Sequence, residues 1–166
     1  LSLQDFTIRT SLLDNRYLAG EKTLLTDLNT RLWGELFISS PSEFIEAKLI
    51  ERTNRHNRQG RSRYMLEPNV KEGKGGLRDL QTLYWITKYL YRTPSQEKLI
   101  EAGVFTKEEL LIFKKAENFL WSVRCGLHLL SKRAGEQLNF TSQVELSKRL
   151  GFVDKKGMRA VETFMQ

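Results

Sequence analysis

Over most of the chain, apolar residues recur at three- and four-residue spacing, the pattern of helices that bury one side. The first nine residues differ. Phe6 and Ile8 alternate with Asp5 and Thr7, a two-residue period that predicts a half-buried strand. Beyond it, Ser11 with Asp14 resembles a capping box, with Leu12, Leu13 and Tyr17 as the apolar side and Gly20 as the stop. A second helix is predicted over 22–33 on Leu24, Leu25, Leu28 and Leu32. In SSPSEF, Ser40 can cap, Pro41 suits the first helical position and Glu43 closes the box, so a third helix should run to about Arg58 and end at Gly60. Leu77, Leu80, Leu83, Tyr84, Ile86 and Leu90 predict a helix closed near Thr93 and Pro94, with a short one following over 95–102. Thr106 and Glu109 form another capping box, opening the longest helix, whose core side is Leu110, Phe113, Leu120, Val123, Leu127 and Leu130 and whose stop is Gly135. Two last helices are predicted over 141–150 and 156–165.

The fold class expected is therefore mainly α: a helical, bundle-like domain that follows one terminal strand. A lone strand leaves its backbone groups unpaired, which suggests that the strand belongs to a domain cut off from this piece. With 166 residues, 40% hydrophobic and 28% charged, the chain can bury a real core. No apolar run approaches the roughly 18 to 20 residues that span a bilayer, so a cytoplasmic protein without a membrane segment is expected. The single cysteine, Cys125, sits among apolar helical neighbours and reads as a core thiol. His56 and His128 have no second ligand at metal spacing.

A net charge of +7 points to an anionic partner. The best place for one is EPNVKEGKGGLRDLQTLYWI, residues 67 to 86, where glycines are threaded between cations just before a helix. A turn of this kind can present backbone N–H groups and the positive end of a helix dipole to a phosphate. Gly75 and Gly76 would permit close approach, Lys71, Lys74 and Arg78 would add charge, and Asp79 could serve the dipole, Arg78 or a metal ion. Plain turn chemistry explains the same glycines, and neither GxxxxGK[ST] nor GxGxxG is present. Asp5, a carboxylate inside the predicted strand, is explained equally by an exposed edge or by a share in a metal site. A nucleic-acid reading is available as well: TSQVELSKRLGF followed by KKGMRAVETFM is loosely like a helix-turn-helix, and arginines cluster between Arg52 and Arg63. Its recognition helix would offer little beyond Lys155, Lys156 and Arg159, and no aromatics interleave the arginines.

DFTIRTSLLDNRYLAG, EFIEAKLIERTNRHNR, NVKEGKGGLRDLQ, LWSVRCGLHLLSKR and LNFTSQVELSKRLGF together resemble the bacterial PII uridylyltransferase and uridylyl-removing family, in the right order and over essentially the whole chain. The resemblance implies a polymerase-β-like nucleotidyltransferase that transfers UMP from UTP to a tyrosine of the nitrogen-regulatory PII protein, with Mg²⁺ held by carboxylates. It implies that Asp5 is the third of those carboxylates, catalytic and metal-binding, and that Lys71, Lys74, Gly75, Gly76, Arg78 and Asp79 line the nucleotide or PII cleft. It also implies that residues 1–20 close the nucleotidyltransferase domain and 21–166 form the helical domain behind it. The GS and DxD motifs of that superfamily do not occur here, so this piece alone is expected to be inactive.

Overall fold

A computed structural model describes residues 5–37, 41–59, 65–92 and 97–166, with the side chain of Glu97 outside the description. The expected cap at Ser40, the stop at Gly60, the closure at Thr93–Pro94 and the arginines at 61 and 63 lie outside the described residues. Among those described, the chain is mainly α: α1 (Phe6–Leu13), α2 (Lys22–Arg31) running into a π turn at Leu32–Leu36, α3 (Pro41–Arg58), α4 (Leu77–Tyr91), α5 (Glu97–Glu101), α6 (Lys107–Ser131), α7 (Phe140–Arg149) and α8 (Ala160–Phe164). It divides into two compact units, Leu1–Thr53 with Gln81–Leu110, and Asn54–Leu80 with Leu111–Gln166.

The strand expected at the start is not formed where the chain is described. Asp5 instead caps α1, its Oδ1 accepting from the amides of Thr7 at 2.7 Å and Ile8 at 3.3 Å. Two orphan donors of the first turn are thereby satisfied. The two-residue alternation was overridden because Phe6, Arg9, Thr10 and Leu13 also stand at helical spacing, and Arg9, Thr10 and Leu13 are buried. The expected box at Ser11 and Asp14 accordingly falls at the end of α1 rather than at its start.

In the first unit the core is Leu13, Leu32, Leu36, Phe37, Phe44 and Tyr89. Phe44 stacks on Tyr89 with centroids 4.1 Å apart, and Phe37 meets the same tyrosine edge-on at 5.5 Å. Two lysines are buried beside it. Lys88 Nζ reaches Asp14 Oδ1 at 3.0 Å, and Trp85 Nε1 donates to the other oxygen of that carboxylate at 2.6 Å. Lys48 Nζ is paired with Glu51 at 2.7 Å and lies over the rings of Phe44 and Trp85. By contrast α2 buries no residue: Leu24 and Leu28 are exposed, and of its expected apolar side only Leu32 is in the core.

In the second unit the core is Val70, Val123, Leu127, Leu138, Leu146 and Phe164. An extended segment before α4 pairs with the one after α6, through Val70 N to Glu136 O and Leu138 N to Pro68 O, each 2.9 Å. That pairing is why α6 stops at Ser131, with Lys132 in the left-handed region, rather than at Gly135. Likewise α8 is shorter than expected. Asp154 Oδ1 takes the amide of Ala160, and Lys155 and Met158 bond each other's backbone, so residues 155–158 form a turn. Cys125 is exposed rather than a core thiol. Val123 and Leu127 face inward, and a residue two positions from each points to the other side of a 3.6-residue helix. The capping box at Thr106 and Glu109 is formed as expected.

α6 and α7 meet at a glycine. A Cβ on Gly126 would lie 2.5 Å from Leu146 Cδ2, and Leu146 is only 1% exposed. Gly126→Ala should cost up to about 2 kcal/mol net, since overpacking of about 1–3 kcal/mol is offset by the roughly 1 kcal/mol that alanine gains over glycine inside a helix. Leu146→Ala should cost about 2–5 kcal/mol through its cavity, and the double variant should lose less than the sum because the new methyl fills part of the hole. Urea unfolding of the three variants checks this; strict additivity would mean that the two residues do not compete for one volume.

Candidate functional site

The segment singled out by its glycines and cations, residues 67–80, is a loop closed on itself. Asn69 starts it, its side-chain oxygen accepting from the amides of Lys71 at 3.0 Å and Glu72 at 2.8 Å, while its carbonyl takes the amide of Gly73. The amides of Gly76, Leu77, Arg78 and Asp79 are given to the carbonyls of Gly73, Val70, Lys71 and Gly76. The fold requires glycine at two places. A Cβ on Gly73 would stand 2.6 Å from the Asn69 carbonyl oxygen, and one on Gly76 would meet three backbone oxygens at 2.8 to 3.0 Å. Gly75, at φ +75°, is exposed on the outer corner with Lys74.

Asp79, in the first turn of α4, ties this loop to the end of α3. Its Oδ1 accepts from Arg55 Nη2 at 2.5 Å, both its oxygens lie 3.0 Å from His56 Nε2, and Oδ2 accepts the amide of Gly75 at 2.9 Å. Burial raises the carboxyl pKa, but the Gly75 amide, Arg55 and His56 outweigh it and hold the group below its ordinary value. Sequence reasoning missed Arg55 and His56 as members of this site. The available signal was the pair's position at the end of a well-marked helix, where cations and histidine accumulate for dipole reasons and so do not announce a partner.

The amides of Gly75 and Gly76, expected to face a phosphate, are therefore engaged inside the loop, that of Lys74 is not, and most of the outward-facing chemistry is carried by side chains. Lys74 is exposed and makes no ion pair among the described residues. Lys71 and Arg78 each stand near Glu72. Beside Lys74, Gly75 and Gly76 opens a cavity of about 340 Å³ whose apolar wall includes Phe119, Leu120, Val123, Leu138 and Phe164. At the pairing strip, Arg124 grips Glu136 with Nε and Nη2 at 2.8 to 3.0 Å. Burial raises the Glu136 pKa, and Arg124 more than offsets it, so the carboxyl is lowered and Arg124 is raised.

Asp5 is in the other unit and is a helix cap, held below its ordinary pKa by the Thr7 and Ile8 amides. Among the described residues no three His, Cys, Asp or Glu side chains gather as a metal site. Asp5 by itself does not fit a complete Mg²⁺ site, which needs several oxygen ligands.

A family model described as GlnD PII-uridylyltransferase matches residues 43–166. The chain belongs to that family. It is 57% identical over its whole length to a bifunctional uridylyltransferase/uridylyl-removing enzyme of Cereibacter sphaeroides and 55% identical to one of Ruegeria pomeroyi. It spans 18% of the length of each of these relatives. No solved structure matches it. No helix among the described residues is long and apolar enough to cross a membrane. The family match covers the whole loop and its clamp, from Arg55 and His56 to Asp79.

Since Asp79 has a lowered pKa in the fold, its contribution is present above the ordinary value of 3.8 and is lost as pH falls through the folded value. Asp79→Asn should cost about 3 kcal/mol at pH 7, because it leaves the buried Arg55 without its hydrogen-bonded charge partner, with only Glu72 at 3.7 Å remaining. The gap between wild type and variant should narrow below pH 3.8. Urea titrations at pH 7 and pH 3 measure it; a gap that does not change with pH would show that the carboxylate charge is not what holds the loop.

Proposed function

We propose that this chain is the helical part of a PII uridylyltransferase, residues 21–166, joined at residues 1–20 to the end of its nucleotidyltransferase domain. In this reading the whole protein transfers UMP from UTP to the PII protein, and the 67–80 loop is a wall of the cleft that receives them. One observation carries it: Lys74 and Gly75 stand exposed at the mouth of an apolar cavity, with Lys71 and Arg78 on the same loop. A cation at the edge of an apolar wall, with two more on the same loop, suits a nucleotide, whose phosphates need charge and whose base needs a dry face. The anion is held mainly by side chains, because the loop's amides from Lys71 to Asp79, that of Lys74 excepted, are taken by its own carbonyls, by Asn69 and by Asp79. Asp79 then acts as the brace of this wall.

For Asp5 the proposed role is a share in the Mg²⁺ site of the transferase, as one carboxylate among several. When bound, the metal would supply charge to the reacting phosphates. The residues of this chain do not build that site alone, and transfer by the chain in isolation is not proposed.

The geometry adds nothing to the nucleic-acid reading. α8 is five residues long, about 7.5 Å, and Lys155 and Lys156 belong to the turn before it.

In the intact protein, Lys74→Ala and Arg78→Ala should each raise the Michaelis constant for UTP about tenfold, the usual worth of a charge-assisted hydrogen bond, with the melting temperature little changed. Steady-state uridylylation kinetics provide the check, and unchanged constants in both variants would remove the loop from the cleft.

A further inference from the structure

Three cations around this loop converge on a single carboxylate. Glu72 Oε1 lies 3.8 Å from Lys71 Nζ and 3.7 Å from Arg78 Nε, while Oε2 lies 3.7 Å from Arg55 Nε. Each pair is close enough for strong attraction and too far for a hydrogen bond, which needs roughly 2.7–3.2 Å. Arg55 is fixed from the other side by Asp79, and its side chain is 5% exposed. Its Nε is buried and has no hydrogen-bond partner. Buried guanidinium donors are normally satisfied, and an orphan one aimed at a loosely held carboxylate needs a reason. Arg55, Lys71 and Arg78 carry three positive charges against the two negative ones of Glu72 and Asp79. With Glu72 swung away, the excess of cations over carboxylates among these residues grows by one, which favours an anion in its place. Glu72 can move: its side chain is 27% exposed and sits in a loop whose shape is set by Asn69 and Asp79 rather than by it.

We propose that Arg55, Lys71 and Arg78 form a subsite for a phosphate-class anion, and that Glu72 is its built-in occupant, displaced when the ligand arrives. The ligand's oxygens would take the orphan Nε–H of Arg55 and the heads of Lys71 and Arg78, at contact distances that the glutamate does not reach. Glu72 then sets selectivity: a weakly charged anion does not displace it, whereas a diphosphate or triphosphate does. This inference rests on the phosphate reading of the same loop and adds to it Arg55 as a ligand and Glu72 as a competitor.

The test is calorimetric titration of the intact protein with inorganic pyrophosphate, and separately with UTP, at fixed ionic strength, in wild type, Glu72→Gln and Lys74→Ala. Removing the competing charge without changing the shape of the side chain should tighten pyrophosphate at least about tenfold. Equal tightening for UTP would identify the nucleotide's phosphates as the ligand, and tightening for pyrophosphate alone a free diphosphate. On the wild-type protein, the Arg55 Nε–H resonance should shift on saturation with pyrophosphate, a readout that needs no variant to fold. Unchanged or weaker binding in Glu72→Gln, or an unmoved Arg55 signal, overturns the proposal. If Lys74→Ala still weakens pyrophosphate in that case, the phosphate reading of the loop survives on its own; if no variant binds, both fall.

Discussion

A carboxylate at Asp79 loses part of its hydration on folding, and that loss costs several kcal/mol unless neighbours replace the water. Here they come from two places far apart in the chain. Arg55 and His56 approach from the end of α3, and the amide of Gly75 from the loop that precedes α4. Because one small side chain accepts from all of them, the end of one helix, the start of another and the corner between them share a single shape. Everything the loop presents outward depends on that closure. Without it the Gly75 corner beside Lys74 would lose its tie to α3, and Arg55 would keep only the looser attraction of Glu72 at 3.7 Å.

The same closure changes what the glycines are for. At a phosphate-binding turn, glycine lets the backbone come close to the ligand. In this loop the close approach is internal: Gly73 and Gly76 let the backbone press against the carbonyls of Asn69, Val70, Lys71 and Gly73. Apart from that of Lys74, the donors are used within the loop, and the charge it turns outward belongs to lysine and arginine side chains. Such a surface attracts anions without committing to one geometry, whereas a nest of amides fixes it.

Buried charge follows a related logic in the other unit. Lys48 and Lys88 are kept among aromatic rings because Glu51 and Asp14 lie at hydrogen-bonding distance and the ring faces favour a cation. Trp85 contributes twice, offering its face to Lys48 and its N–H to Asp14. The aromatic core and the paired charges are therefore one arrangement, and the apolar stack of Phe44 on Tyr89 is its dry centre.

Much of this was legible in the sequence alone. Helical periodicity located α2, α3, α4, α6 and α7 to within a few residues, and Thr106 with Glu109 marked a helix start, because these signals are local and each residue acts on neighbours three or four places away. The motif 69–79 stood out by composition for the same reason. Tertiary structure decided the rest. Whether DFTIRT is strand or helix depended on which face found a core, and Asp5 became a cap once Arg9, Thr10 and Leu13 were buried. The end of α6 was set by the pairing of Val70 with Glu136 and of Leu138 with Pro68, partners more than sixty residues distant in sequence. The roles of Arg55, His56 and Asp79 were invisible for that same reason. Charge pairing acts over a few ångströms of space, and no spacing along the chain records which carboxylate a helix end will meet.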